Sequence, residues 1–372
     1  MPDNLYVHFP FCRTKCSYCA LYSRAGASQS DRDAYVRRLA QEIERTGVGR
    51  RETLKTVYFG GGSPALCDLR PILKALAVTA PVREDADGTV EFTVELHPLD
   101  VTDDLLKTLR DGGVNRISMG VQSLDDATLA DMGRGYTVDE AERAFALVKK
   151  HFDNAGIDLI VGCPGEDKSK TGVEVEQWRE RFFALSSWGL KHCSVYSLQN
   201  ERGLKGVPDD DWTLDRIRHF AKCLESMGLE RYEISNYAVP GYECRHNFAV
   251  WRGEDYLGLG EGAFGRVGLR RISNLKSQIS ESGGSEKSVS GVSEKSVSEV
   301  SEEEDLKERT IFRLRTREGL DASAFSSLSS FPTIVSALDH NVEAGLLTKS
   351  GMVYRLTDRG MEVCDSILAE LV

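Results

Sequence analysis

The sequence predicts an α/β chain built as an incomplete (β/α)6 barrel with a smaller C-terminal accessory module. Two observations carry this. Strand-like apolar runs alternate with helical segments over about the first 200 residues, and chemically loaded residues recur at the C-terminal ends of several of those strands. An open doubly wound sheet would show the same alternation, so the placement of Cys12, Gly60 to Ser63, Glu95, Gln122 and Asp158 after successive strands decides for a barrel.

The strand candidates are Leu5 to Phe9, Thr56 to Phe59, Val90 to Leu96, Arg116 to Met119, Ile157 to Val161 and Cys193 to Leu198. Helical periodicity falls between them, at Asp31 to Thr46, Thr102 to Leu109, Val138 to His151 and Glu174 to Trp188. The domain boundaries expected are a barrel over 1–200, a second region over 201–271, an insertion over 272–304 and a C-terminal module over 305–372.

Composition narrows the class. A formal net charge of -11 argues against a nucleic-acid surface. The nine cysteines form an odd set with no export-type segment before them, which predicts a reducing cytoplasm and no disulfide framework. No run of about 18 apolar residues is present, so no spanning helix is expected. Peripheral contact with a membrane surface stays compatible with this.

The stretch Tyr6 to Ser23, YVHFPFCRTKCSYCALYS, spaces Cys12, Cys16 and Cys19 as C-x3-C-x2-C directly after the first strand. A structural zinc site closes with four ligands. Three thiolates on a 4Fe-4S cluster instead leave one iron open to a small molecule with its own amine and carboxylate. The alternatives are a loop of reduced cysteines, or a zinc site completed by His8 or a distant residue. One strand later comes YFGGGSP, Tyr58 to Pro64, whose glycines let backbone approach a polar ligand closely. Alone, such a stretch is more often a tight turn.

Together, the cysteine triplet, Tyr18 before its last cysteine, and GGGSP resemble the radical S-adenosylmethionine (SAM) superfamily. GVNRISMGVQSLDD (Gly113 to Asp126), MGRGY (Met132 to Tyr136), IDLIVGCPGE (Ile157 to Glu166) and the run from Arg231 to Gly265 narrow the likeness. They resemble the group that holds oxygen-independent coproporphyrinogen III oxidase and the HemW heme chaperones. Leu21 stands where the oxidase carries a further cysteine, and the chain starts five residues before Tyr6 without the oxidase's N-terminal extension. Both features favour the chaperone branch.

That resemblance implies a 4Fe-4S cluster on Cys12, Cys16 and Cys19. It implies SAM held by Gly61, Gly62 and Ser63, with Tyr6 and Tyr18 packed near cluster and cofactor. Glu95 matches a SAM-contacting carboxylate, suited to ribose hydroxyl donors. Gln122, Arg134 and Asp158 match positions that in the oxidase contact a second SAM. Phe264 belongs to the SAM-facing set, in a GAHG-like run whose histidine it replaces. HNFAVW, His246 to Trp251, matches a heme-associated signature with Val250 in place of its tyrosine, and makes His246 the heme ligand. Ala20 and Tyr136 replace a family aspartate and histidine. The plain alternatives are strand-end hydrogen bonding for Glu95, barrel-mouth hydrogen bonding for Gln122 and Asp158, a surface ion pair for Arg134, and a packed loop for His246.

The implied function is heme binding and delivery to an apo-hemoprotein, with an electron donor serving the cluster. The alternative is oxidative decarboxylation of coproporphyrinogen III to protoporphyrinogen IX. Residues Ser280 to Glu304 hold nine serines and seven glutamates and repeat SEKSVS, which predicts a disordered insertion. Beyond it, helix, turn, two short strands and helix outline a winged-helix-like module with a packing role.

Overall fold

The structure is a computed structural model that describes residues 2–47, 54–77, 90–166, 181, 184–200, 203–274 and 296–371. All six expected strands form: β1 (Asn4–Phe9), β2 (Thr56–Gly61), β3 (Glu91–Leu96), β4 (Arg116–Gln122), β5 (Asn154–Val161) and β6 (His192–Ser197). Each runs parallel to the next. Strand β7 (Asn236–Ala238) then joins β6 antiparallel. A further parallel strand, β8 (Tyr256–Leu259), pairs with the other side of β1. Antiparallel strands β9 (Phe264–Val267), β10 (Arg270–Ser273) and β11 (Ser296–Glu299) extend that side. Among the described residues the sheet stays open, with β11 at one edge and Glu230–Arg231 at the other.

Successive side chains in a strand point to opposite faces. On the helix-covered face, Leu5, Val7, Phe9, Val57, Phe59, Val94, Ile117 and Ile157 are buried in one core. Burying each such large side chain contributes roughly 1.5–3 kcal/mol. The other face is polar: Tyr6, His8, Tyr58, Glu95, Arg116, Ser118, Asp158, His192 and Ser194 line cavities. One face therefore holds the fold and the other holds the chemistry.

Side-chain caps set the helix starts. Ser28 and Asp31 form a capping box that starts Gln29–Thr46, two residues before the expected start, and Gly47 ends it at φ 60°. Thr137 and Glu140 do the same for Val138–His151, which forms over the expected residues. Thr102 caps Asp103–Asp111. Of the helix expected over Glu174 to Trp188, residues 174–180 and 182–183 lie outside the described residues.

The C-terminal part has its own core, including Ile311, Leu338, Tyr354 and Ile367. It comprises the helices Glu302–Arg313 and Phe331–Glu343, a three-stranded antiparallel sheet and two short helices. Arg309 reaches Asp255 at 2.7 Å, and Phe312 meets Trp251 edge-on, so this module packs on the barrel. The insertion expected over 272–304 is corrected at its ends. Residues 270–273 pair with 296–299 as β10 and β11, and Ser301 with Glu304 caps the helix from Glu302, so those ends belong to ordered elements. Residues 275–295 lie outside the described ones. Among the described residues no helix is long and apolar enough to cross a membrane.

Candidate functional site

Just beyond β1, Phe11–Cys12 pairs with Arg24–Ala25 and closes a loop that carries Cys12, Cys16 and Cys19. All three are free thiols, partly exposed, on the wall of a cavity of about 500 Å³. Burial pushes the Cys12 thiol upward, with the Ser23 hydroxyl opposing it. Arg134 sits against the loop, its Nη1 3.6 Å from Cys16 Sγ and 3.3 Å from the Tyr18 hydroxyl.

The glycine loop packs against the same strand end. Gly62 N donates to Phe9 O and Ser63 N to Phe11 O, each at 2.7 Å. Gly61 N donates to Glu95 Oε2 at 3.1 Å. A Cβ on Gly62 would lie 2.4 Å from Phe11 O. These N–H groups are therefore committed inside the protein, and the need for glycine at 62 comes from close backbone approach. The Ser63 hydroxyl donates to Asp100, and the same carboxylate pairs with Arg13 from the cysteine loop. Asp100 thus ties both loops together. Sequence reasoning missed it, because no spacing rule links an aspartate after β3 to an arginine between two cysteines.

Glu95 stands at the C-terminal end of β3, held by the Tyr58 hydroxyl at 2.8 Å and by Gly61 N. Burial, with Asp158 nearby, pushes its carboxyl up to about 7; its accessible surface faces the cavity rather than bulk water. Asp158 accepts from Ser118 Oγ at 3.2 Å and is raised by burial. Gln122 has φ 70°, the sole positive φ of a non-glycine among the described residues, where the β4–β5 register shifts. That bulge turns it into the cavity, a backbone cost of the kind found at ligand sites. Arg134 also lines the cavity, but Nε donates to Tyr136 Oη and Nη2 to Gly120 O, both at 2.9 Å. The surface ion pair considered for it does not form among the described residues.

A second cavity, of about 550 Å³, shares Ala20, Leu21, Tyr58, Glu95, Tyr196 and Asn247 with the first. His246, Val250, Trp251 and Tyr256 line it. Tyr6 and Phe264, expected beside SAM, line this cavity and not the cysteine one. Tyr6 is an inward residue of β1, stacked near Tyr58 and His246, and Phe264 starts β9 at 53 % exposure. Glu91 accepts the N–H groups of Arg245 and His246, both at 2.9 Å, and so fixes the start of the short helix Arg245–Trp251. Burial, then the charge of Arg116, lowers His246 to about 3, so its imidazole is neutral. His8 does not complete a zinc site: its Nδ1 contacts the Tyr6 hydroxyl at 2.9 Å and its Nε2 the Tyr22 carbonyl at 2.8 Å.

A family model described as the radical SAM superfamily matches residues 6–172, and the HemN C-terminal domain matches residues 300–363. The protein named heme chaperone HemW in Lactococcus lactis is 30% identical over 383 residues, spanning 100% of this chain and 97% of that one. The chain belongs to the HemW family of radical SAM proteins. Escherichia coli HemW is 33% identical over 271 residues, 72% of this chain and 70% of the relative. The solved structure of Escherichia coli HemN, a coproporphyrinogen III oxidase, aligns with a TM-score of 0.77 at 21% identity, over 99% of this chain and 89% of that one. It shares the fold.

Membership in the radical SAM superfamily implies a 4Fe-4S cluster and SAM. The residues present fit both. Three free thiols project from one loop, and the adjoining cavity offers a fixed carboxylate at Glu95 and polar groups at Gln122 and Asp158.

Proposed function

We propose that this HemW-family chain is a heme chaperone. It holds a 4Fe-4S cluster on Cys12, Cys16 and Cys19 and SAM in the adjoining cavity. Heme binds at His246 and passes to an apo-hemoprotein in the cytoplasm. The observation that carries this is the His246 cavity, aromatic on several sides and sharing a wall with the cysteine cavity. A neutral imidazole beside an apolar slot is what an axial heme ligand requires.

When bound, the cluster and SAM supply one-electron chemistry, fed by an electron donor that this chain must recruit. The chain's residues do the rest. Glu95 accepts from ribose hydroxyls of SAM, and Gln122 and Asp158 complete the polar wall. Asp100 holds the cysteine loop against the glycine loop, so a ligand between them meets both at fixed spacing. Tyr6, Tyr256 and Phe264 supply the apolar walls on which a porphyrin plane packs. Contact with a membrane surface is compatible with delivery to a membrane-bound acceptor.

Coproporphyrinogen decarboxylation is the competing activity. Arg134, which in the resembled oxidase contacts a second SAM, here spends its donors on Tyr136, Gly120, Tyr18 and Cys16. The relatives named heme chaperone, spanning this chain, favour the chaperone. Anaerobic reconstitution, with heme titration and coproporphyrinogen turnover run in parallel, tests it: heme binding without turnover is expected, and turnover without heme binding would reverse the assignment.

A further inference from the structure

His246 is buried, at 4 % exposure, and its Nδ1 lies 2.8 Å from Thr56 Oγ1. Which of the two carries the proton follows from the groups behind Thr56. Asn4 Nδ2 donates to the Asp255 carbonyl at 3.1 Å, and a carbonyl can only accept. The amide orientation of Asn4 is thereby set, with Oδ1 facing Thr56. Thr56 Oγ1 donates its single proton to that Oδ1 at 2.9 Å. The threonine oxygen has then only lone pairs left for His246. Nδ1 must bring the proton, and Nε2 is left with its lone pair. Nε2 has no hydrogen-bond partner among the described residues and is not one of their sealed polar atoms, so it opens on the cavity that His246 lines.

We infer that Asn4 and Thr56 are positioning residues that lock His246 in the Nδ1–H tautomer and present an unprotonated Nε2 to a ligand metal. The inference rests on the heme-binding reading for its purpose, though the tautomer itself belongs to the protein alone. The relay links three separate elements: Asn4 starts β1, Thr56 starts β2 beside it in register, and His246 lies on the short helix above them. Asn4 and Thr56 are each 1 % exposed, so water does not compete for these bonds. The arrangement matches the general design in which a histidine ligand donates its second ring N–H to a fixed acceptor, a partner whose loss costs about 10-fold to 100-fold in metal affinity.

The test has two arms. In the first, the two-bond ¹H–¹⁵N spectrum of apo protein reports the His246 tautomer, assigned by its disappearance in His246→Ala. Nδ1–H is expected in the wild type, and an Nε2–H signal there overturns the proposal. In the second, ferric heme is titrated into wild type, Thr56→Val and Thr56→Ser. Thr56→Val should weaken binding about 10-fold or more and change the Soret band, with Thr56→Ser restoring both. Equal affinity and equal spectra in folded Thr56→Val would overturn the positioning role. Should Thr56→Val not fold, Asn4→Ala serves: it frees the threonine hydroxyl to turn toward Nδ1, and a growing Nε2–H population is expected. An unchanged tautomer in that variant contradicts the relay. Failure of heme to bind wild type, with the Nδ1–H tautomer intact, would remove the heme reading and leave the relay standing.

Discussion

Glu95 and Tyr58, with Ala20, Leu21, Tyr196 and Asn247, stand in the wall between two cavities whose remaining walls differ in chemistry. The cysteine cavity draws on β2 to β6 and on the loop after β1. Its walls carry thiols, carboxylates and guanidinium groups. The His246 cavity draws on β1, β8, β9, one short helix, the segment leading into β7 and the Ala20 to Tyr22 end of the cysteine loop, and much of its lining is aromatic. The first is organised by charge and by hydrogen bonds between loops; the second by ring packing around the His246 imidazole. A ligand with an amine and a carboxylate suits the former and a flat apolar ring system the latter. Two ligands of different chemistry can therefore sit side by side, meeting at the shared wall of Tyr58, Glu95 and Tyr196.

That division breaks most visibly at the cluster. Cys16→Ala should remove the cluster, taking iron from about four per chain to near zero in anaerobically purified protein, and a full cubane spectrum in the variant would end the assignment. Gly62→Val comes next. Its side chain would meet the Phe11 carbonyl, so the cysteine strand must shift, costing about 1–3 kcal/mol in denaturant unfolding and lowering iron content too. Unchanged stability would show that the glycine loop does not brace the cysteine loop.

A smaller effect is a pH dependence at the shared wall. The Glu95 carboxyl has an ordinary value of 4.5 and is raised to about 7 on folding. Between those values the folded state holds a proton that the unfolded chain has lost, so stability falls as pH rises from 4.5 to about 7 and is flat above. The loss is about 3 kcal/mol at most. Glu95→Gln should remove that share of the slope, measured against wild type because Glu166, also raised to about 7 by burial, contributes with the same sign. Identical pH profiles would place the Glu95 charge in water. The smallest expected change is at Val250, which lines the His246 cavity. Val250→Tyr should leave heme binding equal or tighten it by about 0.5–1.5 kcal/mol through added ring contact. Markedly weaker binding would show that the porphyrin does not lie along this wall.

The parallel strands were legible because apolar alternation and a following glycine or polar cluster mark both strand and loop, as in Leu5 to Phe9 and Thr56 to Phe59. The polar partners of those strands, Tyr6, His8, Tyr58 and Ser118, gave no such signal: period-2 alternation says that a residue faces away from the helices, not what it faces instead. Strand β8 was missed because YLGL is too short to stand out, and only its pairing with β1 makes it a strand. The cysteines and Glu95 could be placed from local motifs. Asp100, Thr56 and Asn4 could not, since each acts through a partner tens to hundreds of positions away. Tyr6 and Phe264 fall on the His246 side of Tyr58, which the motifs do not specify, since they place both residues in the barrel mouth without saying on which side of Tyr58 they lie.

The central claim is that heme is held by His246 independently of the cluster on the cysteine loop. Heme titration into anaerobically reconstituted wild type and His246→Ala, with iron and SAM binding measured on the same samples, tests it most directly. The account predicts that His246→Ala weakens heme binding about 10-fold or more and loses the histidine-ligated spectrum, while cluster iron and SAM affinity stay at wild-type levels. Heme spectra and affinity identical with and without His246 would contradict it.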